Sequence, residues 1–160
     1  MQRLANNPLL TPSDLQPTRD DLTVMCTLNP AAVRFGDETL LLVRVGESGP
    51  RSEKYLPVVT YDASKGSTEV HRIDLKDPDL DFRDPRKVVY RGKTLLTSMS
   101  HLRIARSRDG INFTFDPTPA IYPANKYEAF GCEDARITLI EGVYYIAYTA
   151  VSEYLSLIHI

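Results

Sequence analysis

Two adjacent acids and a nearby arginine, Glu133, Asp134 and Arg136, are the residues whose types and spacing could do chemistry. They stand just before a predicted β-hairpin, and side chains alternate between the two faces of a strand. The spacing therefore predicts that Asp134 and Arg136 share one face and that Glu133 points to the other. A carboxylate beside a guanidinium can be a structural ion pair, and it can equally be an acid positioned to transfer a proton.

Further polar residues stand where a strand would otherwise be apolar. Arg44 interrupts the apolar run of residues 39–45 and needs a partner there, because an unpaired buried charge is costly. Asn29 precedes a proline, which disfavours a helix and predicts either a turn or an amide that faces a ligand. His101 and Arg103 begin a strand and should share a face, where they could bind a substrate or form an exposed polar strand end.

The composition is that of an ordinary globular chain with 160 residues, 42% hydrophobic residues and a net charge of −2. This charge gives no reason to expect nucleic acid or an anionic membrane as a partner. No apolar run reaches the roughly 20 residues of a membrane-spanning helix, and the first residues lack the apolar core of a signal peptide. Cys26 and Cys132 lack metal-site spacing and the histidines are scattered, so we expect no metal and two reduced thiols in the cytoplasm.

Short β-strands separated by glycine, proline and aspartate turns dominate the pattern. Hairpin turns are predicted at Gly36, Gly92, Gly110 and Gly142, because glycine accepts a positive φ without strain. Strands are also predicted at residues 55–61 and 68–73, and residues 77–84 are predicted to be a connection. The absence of long helical periodicity and of βαβ alternation predicts an all-β chain. Sandwich, barrel and propeller all fit, and the recurring hairpins favour a propeller of four-stranded blades.

Five segments occur in an order that resembles glycoside hydrolase family 130, whose members are β-mannoside phosphorylases and related β-1,2-mannosidases. They are residues 29–33 (NPAAV), 41–45 (LLVRV), 104–113 (IARSRDGINF), 131–138 (GCEDARIT) and 144–150 (YYIAYTA). The resemblance implies a five-bladed β-propeller with its active site at the central channel, of which this chain supplies about the first two to three blades. Residues 1–154 are then a partial β-propeller catalytic domain. Residues 155–160, which match an in-frame reading of a transposon end used in preparing sequencing libraries, are expected to be a non-native tail.

The resemblance also implies a reaction and roles for single residues. Asp134 is the implied proton donor, and family members usually have proline where this chain has Ala135. The implied substrate-binding residues are Asn29, Arg44, His101, Arg103, Glu133 and Arg136. The implied reaction is inverting phosphorolysis of a β-mannoside to α-mannose 1-phosphate and a shortened acceptor, with inorganic phosphate as co-substrate and no cofactor. It needs one acid and a phosphate nucleophile, whereas inverting hydrolysis needs a second carboxylate to activate water.

Two alternatives stay open at this point. The chain could belong to a β-1,2-mannosidase, because the family's groups that choose phosphate or water lie mostly beyond residue 154. It could also be a non-catalytic propeller fragment that binds carbohydrate. An unclosed propeller exposes strand edges and half of a core, so the 160 residues alone are expected to be inactive and poorly soluble. The expected partners are a β-manno-oligosaccharide and phosphate, and the full-length protein could form a homo-oligomer.

Overall fold

A computed structural model describes residue 5 and residues 7–84 and 87–154 of the chain. Within these residues the secondary structure consists of β-strands and two short 3-10 turns, at Pro12–Asp14 and Lys126–Glu128. The strands are β1 (Thr23–Phe35), β2 (Glu38–Ser48), β3 (Tyr55–Asp62), β4 (Ser67–Asp74), β5 (Leu80–Asp81), β6 (Lys87–Tyr90), β7 (Lys93–Leu96), β8 (Met99–Ser107), β9 (Thr114–Phe115), β10 (Gly131–Ile140) and β11 (Val143–Val151). The all-β prediction is confirmed. In the part of the chain described, no helix is long and apolar enough to cross a membrane. The predicted tail at 155–160 lies outside the described residues.

The largest sheet contains two bulged hairpins that are far apart in the sequence. Strands β1, β2, β8 and β9 are antiparallel neighbours in that order, which is the arrangement of a four-stranded propeller blade. The β10–β11 hairpin joins this sheet through a parallel contact between Gly131 and Ser100. The sheet does not close on itself within the described residues.

Strands β3 to β7 are inserted between β2 and β8 and form two small separate sheets. The β3–β4 hairpin confirms the strands predicted at 55–61 and 68–73. The segment 77–84, predicted to be a connection, contains the short strand β5, which pairs with β6. An apolar cluster around Val58, Ile73 and Val88 packs the two inserted sheets against each other. A second cluster, Val59 with Leu22 and Met99, packs β3 against the start of β8 and the residue before β1.

A third apolar cluster holds the two bulged hairpins together. It is built from one or two residues each of β1, β2, β8 and β10, namely Ala31, Leu42, Leu102, Cys132 and Ala135. Directly paired residues of an antiparallel sheet share a face, and Arg44 pairs with Leu102. Arg44 therefore lies on the face of this cluster, next to the second hairpin.

Candidate active site

The first hairpin contains a β-bulge at the predicted asparagine. The register between β1 and β2 slips after Leu28, so that Asn29 and Pro30 together oppose a single residue, Val43. Asn29 has φ of +42°, in the left-handed region that non-glycine residues adopt at a cost of roughly 1–3 kcal/mol. Asparagine is among the residues that tolerate this conformation best, and the bulge turns its side chain out of the regular alternation.

The second hairpin contains an equivalent bulge, also of one extra residue, at Asp134, the predicted proton donor. The pairing between β10 and β11 slips after Glu133, so that Asp134 and Ala135 oppose Tyr148. Asp134 has φ of +51° and is the second non-glycine residue with a positive φ inside a strand of the largest sheet. The two bulged hairpins thus carry one short polar residue each at equivalent strained positions, a placement that is characteristic of functional sites.

Arg44 bridges the two adjacent acids. Its Nη2 lies 2.6 Å from Oε1 of Glu133, and its Nη1 lies 3.2 Å from Oδ1 of Asp134. Asn29 donates its side-chain N–H to the same Oδ1 atom at 3.0 Å. The bulges therefore bring together residues that are about a hundred positions apart in the sequence, and the prediction that Arg44 must have an acidic partner is confirmed.

Of the two alternatives for Asp134 and Arg136, the structural ion pair between them is not formed. The cation within ion-pair distance of Asp134 is Arg44, and the Arg136 guanidinium donates to the carbonyl of Ala135 at 2.8 Å. The opposite orientation predicted for Glu133 is wrong, because both acids bind the same guanidinium. The physical reason is the bulge, since an extra residue interrupts the two-residue alternation on which the prediction relied.

Ser100 is a residue of the site that the sequence did not single out. Its hydroxyl accepts a hydrogen bond from Nε of Arg44 at 3.1 Å and donates to Oε1 of Glu133 at 3.1 Å. The approach of β10 to this position depends on Gly131, which has φ of +126° and whose missing Cβ would lie 2.3 Å from the Ser100 carbonyl oxygen. One signal in the sequence could have pointed to it. The guanidinium of Arg44 carries several N–H donors in an otherwise apolar stretch, so it needs more than one acceptor, and a neighbouring hydroxyl can be one of them.

The two acids have opposite electrostatic environments. Burial raises the pKa of Glu133, and the opposing effects of Arg44 and Ser100 do not compensate for it. Burial also acts to raise the pKa of Asp134, but hydrogen bonds from Asn29 and Arg44 outweigh it and hold this pKa below its usual value. The exposed fractions agree with this contrast, since the side chain of Glu133 is 9% exposed and that of Asp134 is 39% exposed.

His101 and Arg103 share a face, as predicted, but it is the face opposite to Arg44. They pair with Val45 and Val43 of β2, and they are 0% and 2% exposed. Nε2 of His101 lies 3.5 Å from Oε1 of Glu47, and Arg103 donates to the carbonyl of Gln16 at 3.1 Å. The structure therefore does not bring these two residues to the cluster around Asp134.

The buried carboxylate of Glu128 connects the loop before β10 to β11, the strand that lies opposite the second bulge. Glu128 accepts hydrogen bonds from the backbone N–H of Ala124 and the hydroxyl of Tyr148, both at 2.7 Å. The bond from the hydroxyl raises the pKa of Tyr148 to about 12. Over the described ranges, no three His, Cys, Asp or Glu side chains are grouped so that they could hold a metal ion.

The sheet thus has the strand order of a propeller blade, and its bulges bring the amide of Asn29 and the carboxyl of Asp134 to the guanidinium of Arg44. The chain belongs to glycoside hydrolase family 130: the family described as beta-1,4-mannooligosaccharide phosphorylase matches residues 75–158. The family resemblance found in the sequence is thereby confirmed.

Relatives and a solved structure agree with this assignment. A beta-1,2-mannobiose phosphorylase of Listeria innocua is 40% identical over 158 residues, which are 95% of this chain and 44% of that protein. A 1,2-beta-oligomannan phosphorylase of Thermoanaerobacter is 40% identical over 55 residues, 34% of this chain and 19% of that protein. The solved structure of the Listeria innocua enzyme in complex with beta-1,2-mannobiose matches with a TM-score of 0.88 and 38% identity over 95% of this chain and 44% of that one. The chain therefore spans less than half the length of these relatives.

Proposed function

We propose that the protein to which this chain belongs is an inverting β-mannoside phosphorylase. It would convert a β-mannoside and inorganic phosphate into α-mannose 1-phosphate and a shortened acceptor. The observation that carries the proposal is the half-exposed carboxyl of Asp134, held by Asn29 and Arg44 at a strained bulge. The names of the two relatives favour a β-1,2-linked substrate, whereas the family description refers to β-1,4 linkages.

Asp134 is the proposed proton donor. Both of its hydrogen bonds fall on Oδ1, so in the described chain Oδ2 lacks a protein donor and is the atom from which a proton can leave. When the glycosidic bond breaks, this proton goes to the leaving oxygen, directly or through a substrate hydroxyl, while phosphate attacks the anomeric carbon from the opposite side. Asn29 and Arg44 stabilise the carboxylate that remains, which makes protonated Asp134 a stronger acid and, in the reverse reaction, makes its carboxylate the base.

The proposed substrate contacts come from the same cluster. Asn29 and Arg44 lie beside the acid and carry donors for sugar hydroxyls or for an oxyanion. Arg136 is exposed two residues beyond Asp134, where its charge contributes to lowering the pKa of that acid. His101 and Arg103 are outside the proposed contacts because both are buried on the other face of β8.

An assay of the protein expressed from the intact gene tests the reaction. It is incubated with β-1,2-mannobiose and with β-1,4-mannobiose, each with and without phosphate, and mannose 1-phosphate and free mannose are measured. We expect mannose 1-phosphate only when phosphate is present. Release of free mannose at the same rate without phosphate would reject phosphorolysis in favour of hydrolysis.

The Asp134→Asn variant tests the proton donor. Asparagine has the size of aspartate and can still accept hydrogen bonds from Asn29 and Arg44, but it has no acidic proton to give. We expect phosphorolysis and the reverse synthesis both to fall at least about 100-fold, the usual contribution of a general acid or base. Asp116→Asn is a control, because Asp116 pairs with Arg106 away from the site. Retention of full activity by Asp134→Asn would contradict the assignment.

We also propose a cytoplasmic location for this protein. Cys26 and Cys132 are both free thiols, and reduced thiols persist in the cytosol. Fractionation of the source cells with an antibody against the chain would test it, and recovery from an extracellular fraction would contradict it.

A further inference from the structure

Arg44 holds two carboxylates with one positive charge. If Glu133 and Asp134 were both ionised, the three side chains would carry a net charge of −1 in a partly buried site. Two like charges on one guanidinium disfavour each other, and such a pair titrates as a unit in which one proton is retained longer than the other. Binding of one proton makes the group neutral, which reduces the cost of its burial.

The surroundings of the two carboxyls decide which of them retains this proton. Asp134 is more exposed to solvent and receives an additional N–H from Asn29, so its charged form is the better stabilised of the two. Glu133 is almost fully buried, and both of its hydrogen bonds, from Arg44 and Ser100, fall on Oε1. Within the described structure Oε2 of Glu133 has no protein partner and is the atom that can carry the proton.

The remaining titratable groups near the pair do not reverse this order. Burial, with smaller contributions from Glu128 and Glu133, raises the pKa of the Cys132 thiol to about 12, so this thiol brings no charge to the site near neutral pH. Arg136 favours the charged form of Asp134, although its side chain is exposed and its effect is reduced by solvent. Thr149, the cross-strand partner of Glu133, is uncharged.

We propose that Glu133 holds the single proton of this three-residue group in the free protein, and that Glu133 and Ser100 are positioning residues that set the charge of Asp134. The proposal rests on the proposed function only in taking Asp134 as the proton donor of the reaction. Glu133 is the proton reserve beside the acid: transfer to Asp134 breaks the O–H bond on Glu133, forms one on Asp134 and moves the negative charge to Glu133. Arg44 contacts both carboxylates and compensates the charge before and after the transfer.

Titration of the carboxyl carbons tests the order directly. The protein from the intact gene, labelled with ¹³C at the Asp and Glu carboxyl carbons, is titrated by NMR from about pH 3 to about pH 8, a range that covers ordinary and raised carboxyl values. Glu133→Gln and Asp134→Asn assign the two signals. We expect Glu133 to lose its proton last and Asp134 to lose its proton first. Asp134 titrating above Glu133 would overturn the proposal.

Three variants separate positioning from a general effect on the fold. Asp134→Asn removes the negative charge against which Glu133 loses its proton, so the Glu133 midpoint should fall by about one pH unit, a typical effect of a neighbouring charge. Ser100→Ala removes a donor to the ionised form of Glu133, so the Glu133 midpoint should rise. Glu128→Gln alters another buried glutamate that does not contact Arg44 and should leave both midpoints in place. If the midpoints in all of these variants were the same as in the unsubstituted protein, the proposal would be overturned.

The activity assay keeps this proposal separate from the proposed function. In the Glu133→Gln protein the proton reserve is gone, so the basic limb of the pH profile for phosphorolysis, where activity falls as the group loses its last proton, should move to lower pH, from the Glu133 midpoint toward the Asp134 midpoint. If the titration order is as expected but no mannose 1-phosphate is formed, the role of Glu133 holds and the proposed function fails. If phosphorolysis proceeds while Asp134 titrates above Glu133, the proposed function holds and the role of Glu133 fails.

Discussion

At the scale of single residues, Arg44 explains most of the site. It lies in the apolar stretch 40–45 of β2, and its partly buried guanidinium reaches Glu133, Asp134 and Ser100. A guanidinium can serve three acceptors in this way because its donors lie in one rigid plane, which a lysine cannot reproduce. Chemistry and stability therefore depend on the same side chain.

The first residue-scale prediction concerns the stability that Arg44 provides. Arg44→Met leaves the carboxylate of Asp134 without its cation and the buried carboxyl of Glu133 without one of its donors, so we expect the free energy of unfolding to fall by about 1–3 kcal/mol, the usual cost of an unsatisfied buried group. In an Asp134→Asn background the same substitution should cost about half as much, because no carboxylate is left without a cation. Urea unfolding of the four proteins at pH 7 measures this coupling. Equal costs in both backgrounds would show that Arg44 stabilises the fold independently of Asp134.

The sequence predicted that Arg44 has an acidic partner, but it did not identify which acid this is. The cost of an unpaired buried charge required an acid, and Glu133 and Asp134 were present, but alternation along β10 assigned Asp134 to Arg136 instead. The bulge that overrides the alternation depends on the tertiary contact between β1 and β10, which no local pattern encodes. His101 and Arg103 illustrate the same limit, because alternation places them together correctly without showing which face is turned to Arg44.

At the scale of the elements, the two bulged hairpins are internal counterparts. Both slip by one residue at a short polar side chain, and the following residue is Pro30 in the first and Ala135 in the second. The hairpins and the all-β class could be predicted, because glycine turns and β-propensity are local properties. The equivalence of the two hairpins could not be predicted from a sequence repeat. It lies in the strand register, which is visible only once the strand pairs are known.

The element-scale prediction concerns the close approach of β8 and β10 at Gly131. A Cβ at Gly131 would lie 2.3 Å from the Ser100 carbonyl oxygen and 2.5 Å from the Ser100 nitrogen, so neither backbone can accommodate it without moving. We expect Gly131→Ala to lower the free energy of unfolding by more than about 3 kcal/mol, since it combines a clash with a strained φ. Surviving protein should also lose activity, because Ser100 would no longer reach Glu133.

Gly142→Ala is the matched control for this prediction. Gly142 also has a positive φ, of +82°, but a Cβ there would meet nothing within 4 Å. Only the backbone strain remains, and we expect a loss of about 1–2 kcal/mol. Thermal unfolding followed by circular dichroism compares the two variants. Similar losses would show that the contact between β8 and β10 is not tightly packed.

At the scale of the whole molecule, β2 of the first hairpin is largely covered, whereas much of the second hairpin is exposed. The second half of β2 is buried because β8 pairs along it, whereas most of the outer half of β10–β11 is exposed. The exposed apolar residues of this hairpin, called here the open hairpin end, are Leu139, Ile140, Val143, Tyr145 and Ile146. A strand edge with exposed apolar side chains is a template for association with another chain.

We therefore expect the 160-residue chain on its own to self-associate through the open hairpin end and to lack phosphorolysis. Ile146→Lys places a charge within this surface and should shift the chain toward monomer, because charged side chains discourage edge-to-edge pairing. Ile111→Lys is the control, since Ile111 is 41% exposed, close to the 46% of Ile146, but lies in another part of the fold. Sedimentation velocity at increasing concentrations measures the effect. If the two variants associate equally, the open hairpin end is not the contact surface, and a chain that stays monomeric without either substitution would contradict the prediction altogether.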